Sequence, residues 1–140
     1  MGIYLSPLVT EGQIRQEGLQ TVALSATEVF TTPNKDDYNG AIYEAYVYVR
    51  VNTLDGGTTP TIAISLVATE GASARTLVVP LATEAGAYAA TLSLAAATSA
   101  HGKVTFRADK NTAVNWVRTA GGTPSNNGNF DVFIIINRIG

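Results

Sequence analysis

The 140-residue chain contains no cysteine, one histidine, one tryptophan and one methionine. Without cysteine there is no disulfide, no thiolate nucleophile and no Cys-ligated zinc. A single histidine excludes a multi-histidine metal site. Charge is scarce too. Asp, Glu, Lys and Arg make up 14% of the chain, against about a quarter in an ordinary soluble domain. The net charge of −2 provides no long-range attraction for nucleic acid or an anionic membrane. No apolar run approaches the ~20 residues that cross a bilayer as a helix. The opening "MGIYLSPL" has no basic stretch before an apolar one, and Pro7 and Glu11 interrupt it. No secretory leader or membrane partner is therefore expected, and synthesis in the cytoplasm is.

What the chain does have is β-forming residues in alternation. In "AIYEAYVYVRV", residues 41–51, Tyr43, Ala45, Val47, Val49 and Val51 share one parity. Glu44, Tyr46, Tyr48 and Arg50 share the other. The first row is a core face, since successive strand residues point to opposite sides of a sheet. Further strands are expected in "TIAISLVAT" (Ile62, Ile64, Leu66 and Ala68 inward) and in "RTLVVPLAT". Pro80 marks the latter as an edge or a bulge. "AYAATLSLA" reads as one strand with Tyr88, Ala90, Leu92 and Leu94 in register. "KVTFRA" and "TAVNWVRT" follow, with Trp116 in the core. The last strand, "FDVFIIINRI", carries Phe130, Val132, Ile134 and Ile136 on one face and Phe133 and Ile135 on the other. Apolar on both faces, it is central or covered by a partner.

Turn residues separate these segments at "TPNKDDYNG", "LDGG", "EGASA", "AATSAHG" and "AGGTPSNNGN". About eight strands with no convincing amphipathic helix predict an all-β antiparallel sandwich of jelly-roll type. An immunoglobulin-like order is the alternative. Residues 1–18 read as an extended N-terminal arm, with room for a short helix over 11–17, and residues 19–140 as the sandwich.

Catalytic candidates are few. His101, in "TSAHGKV", is expected in a solvated turn beside Ser99, a poor arrangement for a triad. Asp36 and Asp37 can offer oxygen ligands to calcium, but their spacing is not that of an EF-hand, and Asx-rich turns usually cap their own backbone. Glu70 and Glu84 end strands and are the one carboxylate pair to weigh for glycoside hydrolysis. Gly56-Gly57 and Gly121-Gly122 lack the lysine and helix of a phosphate loop. The expectation is a non-enzyme with no cofactor and no metal. The Tyr46, Tyr48 and Arg50 face is too aromatic for idle solvent exposure. It suits a subunit contact or, alternatively, a sugar, whose C–H groups stack on aromatic rings.

The arm "MGIYLSPLVTEGQIRQEG", the cysteine-free Ala/Thr/Gly-rich strands, the loop "AGGTPSNNGN" and the terminal strand "FDVFIIINRIG" together resemble capsid decoration (cement) proteins of tailed bacteriophages. The resemblance lies in layout across the whole chain and in no shared motif. It implies a homotrimer on the virion's outer capsid surface, stabilising the shell without catalysis. Its apolar arm residues Ile3, Tyr4, Leu5, Leu8 and Val9 would pack on the major capsid protein, and Tyr46, Tyr48 and Arg50 would meet a neighbour. A head- or tail-fibre domain that binds a carbohydrate or receptor is the competing expectation.

Overall fold

The structure, a computed structural model, describes residues 9–19, 27–34, 39–96 and 98–140. Eleven strands form: β1 (Val9–Leu19), β2 (Thr27–Thr31), β3 (Ala41–Thr53), β4 (Thr58–Glu70), β5 (Ser73–Val78), β6 (Leu81–Thr83), β7 (Tyr88–Ala89), β8 (Leu92–Ser93), β9 (Ser99–Ala108), β10 (Ala113–Thr123) and β11 (Asn129–Arg138). They make two antiparallel sheets, a six-stranded one in the order β1-β11-β3-β9-β6-β7 and a five-stranded one in the order β2-β10-β4-β5, with β8 added against β4.

Leaving aside the short β6, β7 and β8, the pairing is nested. β1 pairs with β11, β2 with β10, β3 with β9, and β4 with β5. This is a long hairpin wrapped on itself, the jelly-roll arrangement of two packed sheets. The sandwich expected from the sequence is present.

Alternation explains the packing. Tyr43, Ala45, Val47, Val49 and Val51 face inward and are buried, as are Phe130, Val132, Ile134 and Ile136 on β11. Ile62, Ile64, Leu66 and Ala68 on β4 and Val114 and Trp116 on β10 meet them from the other sheet. Each fully buried aliphatic side chain contributes roughly 1.5–3 kcal/mol of transfer free energy. Tyr43 joins the layers through an aromatic cluster, its ring centroid 5.3 Å from Phe30 and 5.6 Å from Phe106. Both β3 and β11 lie inside the six-stranded sheet, so neither leaves an edge to protect.

Four expectations change. Residues 9–18, read as arm or short helix, form strand β1, paired with β11 from Val9↔Arg138 to Leu19↔Phe130. Unpaired N–H and C=O groups along β11 demand a partner, and this non-local demand outweighs the weak local pattern of "TEGQIRQEG". Among the described residues the sandwich therefore begins at Val9, and β1 and β2 lie in opposite sheets. Residues 1–8, 20–26, 35–38 and 97, which include Ile3, Tyr4, Leu5, Leu8, Asp36 and Asp37, lie outside the described residues.

The segment predicted as one strand over 87–95 is instead two short pieces in different sheets. Leu92 and Leu94 are buried while Tyr88 is 62% exposed. Likewise the chain around Pro80 passes between sheets, with β5 ending at Val78 and β6 starting at Leu81. Proline lacks the N–H that a continuous ladder would use.

Finally, two loops are shorter than expected. Residues 99–102 belong to β9, and residues 120–123 extend β10, where Gly121 pairs with Thr61 and Thr123 with Thr58.

Carboxylates tie both ends of the sandwich. At one end Asp55, 3% exposed, accepts hydrogen bonds from the backbone N–H of Gly57 (2.7 Å), Ser125 (2.9 Å) and Asn126 (3.0 Å) and from Ser125 Oγ (3.1 Å). At the other, Asp109 accepts from the N–H of Ala72 (2.9 Å) and pairs with Arg107 (3.1 Å). Gly71 and Ala72 are both left-handed (φ 59° and 61°), the two-residue hairpin turn whose twist matches that of the strands.

Candidate binding site

The outer face of the six-stranded sheet carries the aromatic row noted in the sequence. Tyr46 and Tyr48 are each 42% exposed, and Ile135 is 41% exposed. Register decides what stands beside them. Tyr46 is opposite Ile135 on β11 and Lys103 on β9, and Tyr48 is opposite Phe133 and His101. Ala82 of β6 continues the row beyond His101, and Tyr88 of β7 stands opposite Ala82. The rings touch in tilted and edge-on geometry. Tyr48 and Phe133 centroids are 5.9 Å apart, and Tyr88 presents an edge contact to His101 at 6.2 Å. Such pairings put the positive ring edge against the negative face of its neighbour.

Together these side chains line an open groove of about 440 Å³, predominantly apolar in its walls. Lys103 and His101 supply its nitrogen donors, and no carboxylate is among its lining residues. Glu44 lies just outside it on the same strand face. Its carboxylate accepts a hydrogen bond from Tyr46, which raises the phenol above its ordinary 10.0, and desolvation adds to the effect. Tyr46 thus stays a neutral phenol through the physiological range.

A second hollow of about 300 Å³ adjoins the first and is polar, lined by Arg50, Val51, Glu84, Thr98 and Ser99. Its place follows from the strand period. Arg50 is two residues beyond Tyr48 on the same face, and its partner Ser99 is two residues before His101. The two hollows therefore share one sheet face, apolar toward Tyr46 and polar toward Arg50.

Of the partner residues expected from the sequence, Tyr46, Tyr48 and Arg50 come together on this face, while Val9 lies at the start of edge strand β1. His101 is not in a turn. It projects from β9 between Tyr48 and Ala82, and no hydrogen bond links it to Ser99 among the described residues. Glu70 and Glu84 do not form a pair. Glu70 is at the end of β4 and bonds Arg75 at 3.1 Å, whereas Glu84 follows β6 in the other sheet. Among the described residues no three His, Asp or Glu side chains gather as a metal site, and no helix is long and apolar enough to cross a membrane.

Sequence reading missed Tyr88, His101, Lys103 and Phe133 as members of the site. They come from three other strands, and only register assembles them. The one signal pointing to them was the outward parity of Phe133 and Ile135 on β11. No protein-family model and no curated protein matches this chain.

Proposed function

We propose that this chain is a non-enzymatic structural protein of a virion, an oligomeric capsid decoration protein that binds and stabilises the outer shell. The single observation that supports the reading best is the nested jelly-roll pairing of β1 with β11, β2 with β10, β3 with β9 and β4 with β5, an architecture that viral capsid domains use. The scarcity of charge fits a surface partly covered by neighbours. In this reading the apolar residues Ile3, Tyr4, Leu5, Leu8 and Val9 attach to the major capsid protein, and the chain works as a homotrimer.

The test joins solution mass with attachment. Light scattering should give three times the chain mass. Cosedimentation with shells of the cognate virus should be lost on deleting residues 1–8. A monomer, or undiminished attachment of the shortened chain, would overturn the reading.

A second reading is favoured by the concave groove at Tyr46, Tyr48 and Tyr88. Its volume falls within the several hundred Å³ usual for small-ligand sites, whereas a subunit contact requires a broad complementary surface. In this reading the sandwich binds carbohydrate through the face that the sequence assigns to a neighbour. The two readings compete for the Tyr46 and Tyr48 face, and both hold in one virion protein when the trimer contact lies elsewhere on the sandwich.

A further inference from the structure

We infer that β5 is a pairing edge for a second copy of this chain, the two β5 strands lying antiparallel about a two-fold axis at Thr76. The inference goes beyond the proposed function and rests neither on the groove nor on the trimer.

An open sheet edge presents unpaired N–H and C=O groups that template pairing with another chain. The other edges of this sandwich are blunted. β1 is interrupted by register shifts between Thr10 and Gly12 and between Gln16 and Leu19. It is also packed against β2, where a Cβ on Gly12 would lie 2.9 Å from Val29 Cγ1. β2 itself meets a register shift in β10 and carries Glu28. β7 and β8 have two residues each. β5 differs from all of these. Its six residues, "SARTLV", pair with β4 from Ser65↔Val78 to Glu70↔Ser73 without a shift. It contains no proline, and its one charge, Arg75, is taken up by Glu70 at 3.1 Å. Every residue of it except Leu77 is exposed. Among the described residues it is the one edge of more than two residues with neither a register shift nor a covering strand.

The hairpin turn fixes which groups are free. Glu70 and Ser73 flank the two-residue turn and form a hydrogen-bonded pair. Ala68–Arg75 and Leu66–Leu77 follow at every second residue. The 2.9 Å bond from the Val79 N–H to the Ile64 carbonyl continues the same phase. Ala74, Thr76 and Val78 therefore turn their N–H and C=O groups away from β4.

These three residues complement themselves. With Thr76 opposite its own copy, Ala74 meets Val78 on either side, and each outward N–H and C=O of both strands gains a partner. Centring the pair on Arg75 instead would oppose two guanidinium groups. Centring it on Leu77 would set Ala74 against Pro80, which has no N–H. The outward row continues onto β4 as Thr69, Val67 and Ser65, so no charge beside it repels a second copy. A two-fold pair also closes on itself and removes both open edges at once, whereas a foreign strand covers one. An edge of six residues is about 20 Å long, small beside the roughly 1,000 Å² of a stable interface. The pair therefore forms between copies held close together, at high local concentration.

The test exploits the absence of cysteine. Thr76→Cys, Ala74→Cys and Val78→Cys each place one thiol at an exposed position, and melting temperatures should stay near that of the parent. In paired Thr76→Cys chains the substituted Cα atoms are about 5.5 Å apart, within disulfide reach. In paired Ala74→Cys chains they are separated by four strand residues, about 13 Å. Under mild oxidation of concentrated protein, Thr76→Cys should form covalent dimer at least about tenfold faster than Ala74→Cys or Val78→Cys alone. An equal mixture of the latter two should cross-link at the fast rate, and urea should abolish the difference. Thr76→Pro loses no bond to β4, because that N–H points outward. Added to both chains of the mixture, it should slow cross-linking to the rate of the single variants.

Equal rates for the three single variants overturn the inference and leave β5 to a strand of another protein. Fast self-linking of Ala74→Cys or Val78→Cys overturns the register at Thr76. Cross-linking of the mixture that survives urea or a folded Thr76→Pro background overturns strand pairing as its cause. None of these outcomes bears on attachment to shells, so the proposed function stands or falls separately.

Discussion

Asp55 grips Ser125 twice, through the backbone N–H at 2.9 Å and through Oγ at 3.1 Å. The two residues are 70 positions apart in sequence, and this contact joins the turn after β3 to the turn after β10. Replacing Asp55 with Ala strands the N–H groups of Gly57, Ser125 and Asn126 in a part-buried site. Hydrogen bonds to a charged acceptor contribute about 1.5–3 kcal/mol each in mutational series, though not additively. Asp55→Ala should therefore lose about 2–4 kcal/mol in urea unfolding. Asp55→Asn should lose less, because one carbonyl oxygen still accepts.

Gly102 faces inward opposite Val47, where the crossing chain at Pro80 passes over it. A Cβ there would lie 2.0 Å from the Pro80 carbonyl oxygen. The two nearest atoms are the Pro80 carbonyl oxygen and carbon, backbone that no side-chain rotation can move aside. Gly102→Ala should destabilise the fold by about 1–3 kcal/mol or more, the usual effect of overpacking. A melting temperature equal to that of the parent would show that the β5–β6 crossing is looser than this contact implies.

Asp109 carries a pH dependence. Hydrogen bonds from the backbone N–H groups of Ala72 and Gly71, with Arg107 alongside, hold its carboxyl below the ordinary 3.8. A carboxyl depressed in the folded state binds protons more readily when unfolded. Its stabilising contribution is thus complete above 3.8 and disappears as pH falls below 3.8 and through the folded-state value. Melting temperature measured against pH should fall less steeply on the acid side for Asp109→Asn than for the parent. The single tryptophan, Trp116, is fully buried and reports unfolding by a red shift of its emission.

Two truncations separate attachment from folding. Removing residues 1–8 leaves every described strand in place, and its melting temperature should match that of the parent. Removing residues 1–18 deletes nearly all of β1 and bares the edge of β11, whose "VFIIIN" is apolar on both faces. An exposed apolar edge pairs with other chains. The longer truncation should aggregate or melt well below the parent, and a soluble, equally stable product would contradict the role of β1 as a structural edge.

How much of the fold is legible in the sequence depends on the range of the interaction. Period-two alternation is local, so the inward rows at Tyr43–Val51, Ile62–Ala68 and Phe130–Ile136 can be read directly, and with them the all-β class. Tyr46 and Tyr48 stand out for the same reason, as aromatic residues on the face that should be wet. Turn chemistry is legible where both turn residues bend the chain locally, as at Gly71-Ala72. It misleads at residues 99–102 and 120–123, where small and turn-forming residues are drawn into β9 and β10 by partners on other strands.

Tertiary structure decided the remainder. Whether residues 9–19 float or pair depends on the unpaired edge of β11, more than a hundred residues away. Whether His101 is a turn residue or part of a binding face depends on its register with Tyr48 and Ala82. The groove itself draws on β3, β7, β9 and β11, and no stretch of sequence contains it. The sequence by itself determined which side chains shun water, because that is a property of each residue and its parity. Only the folded sheets decided which of the outward-facing ones stand together, because hydrogen-bonded register is set between strands.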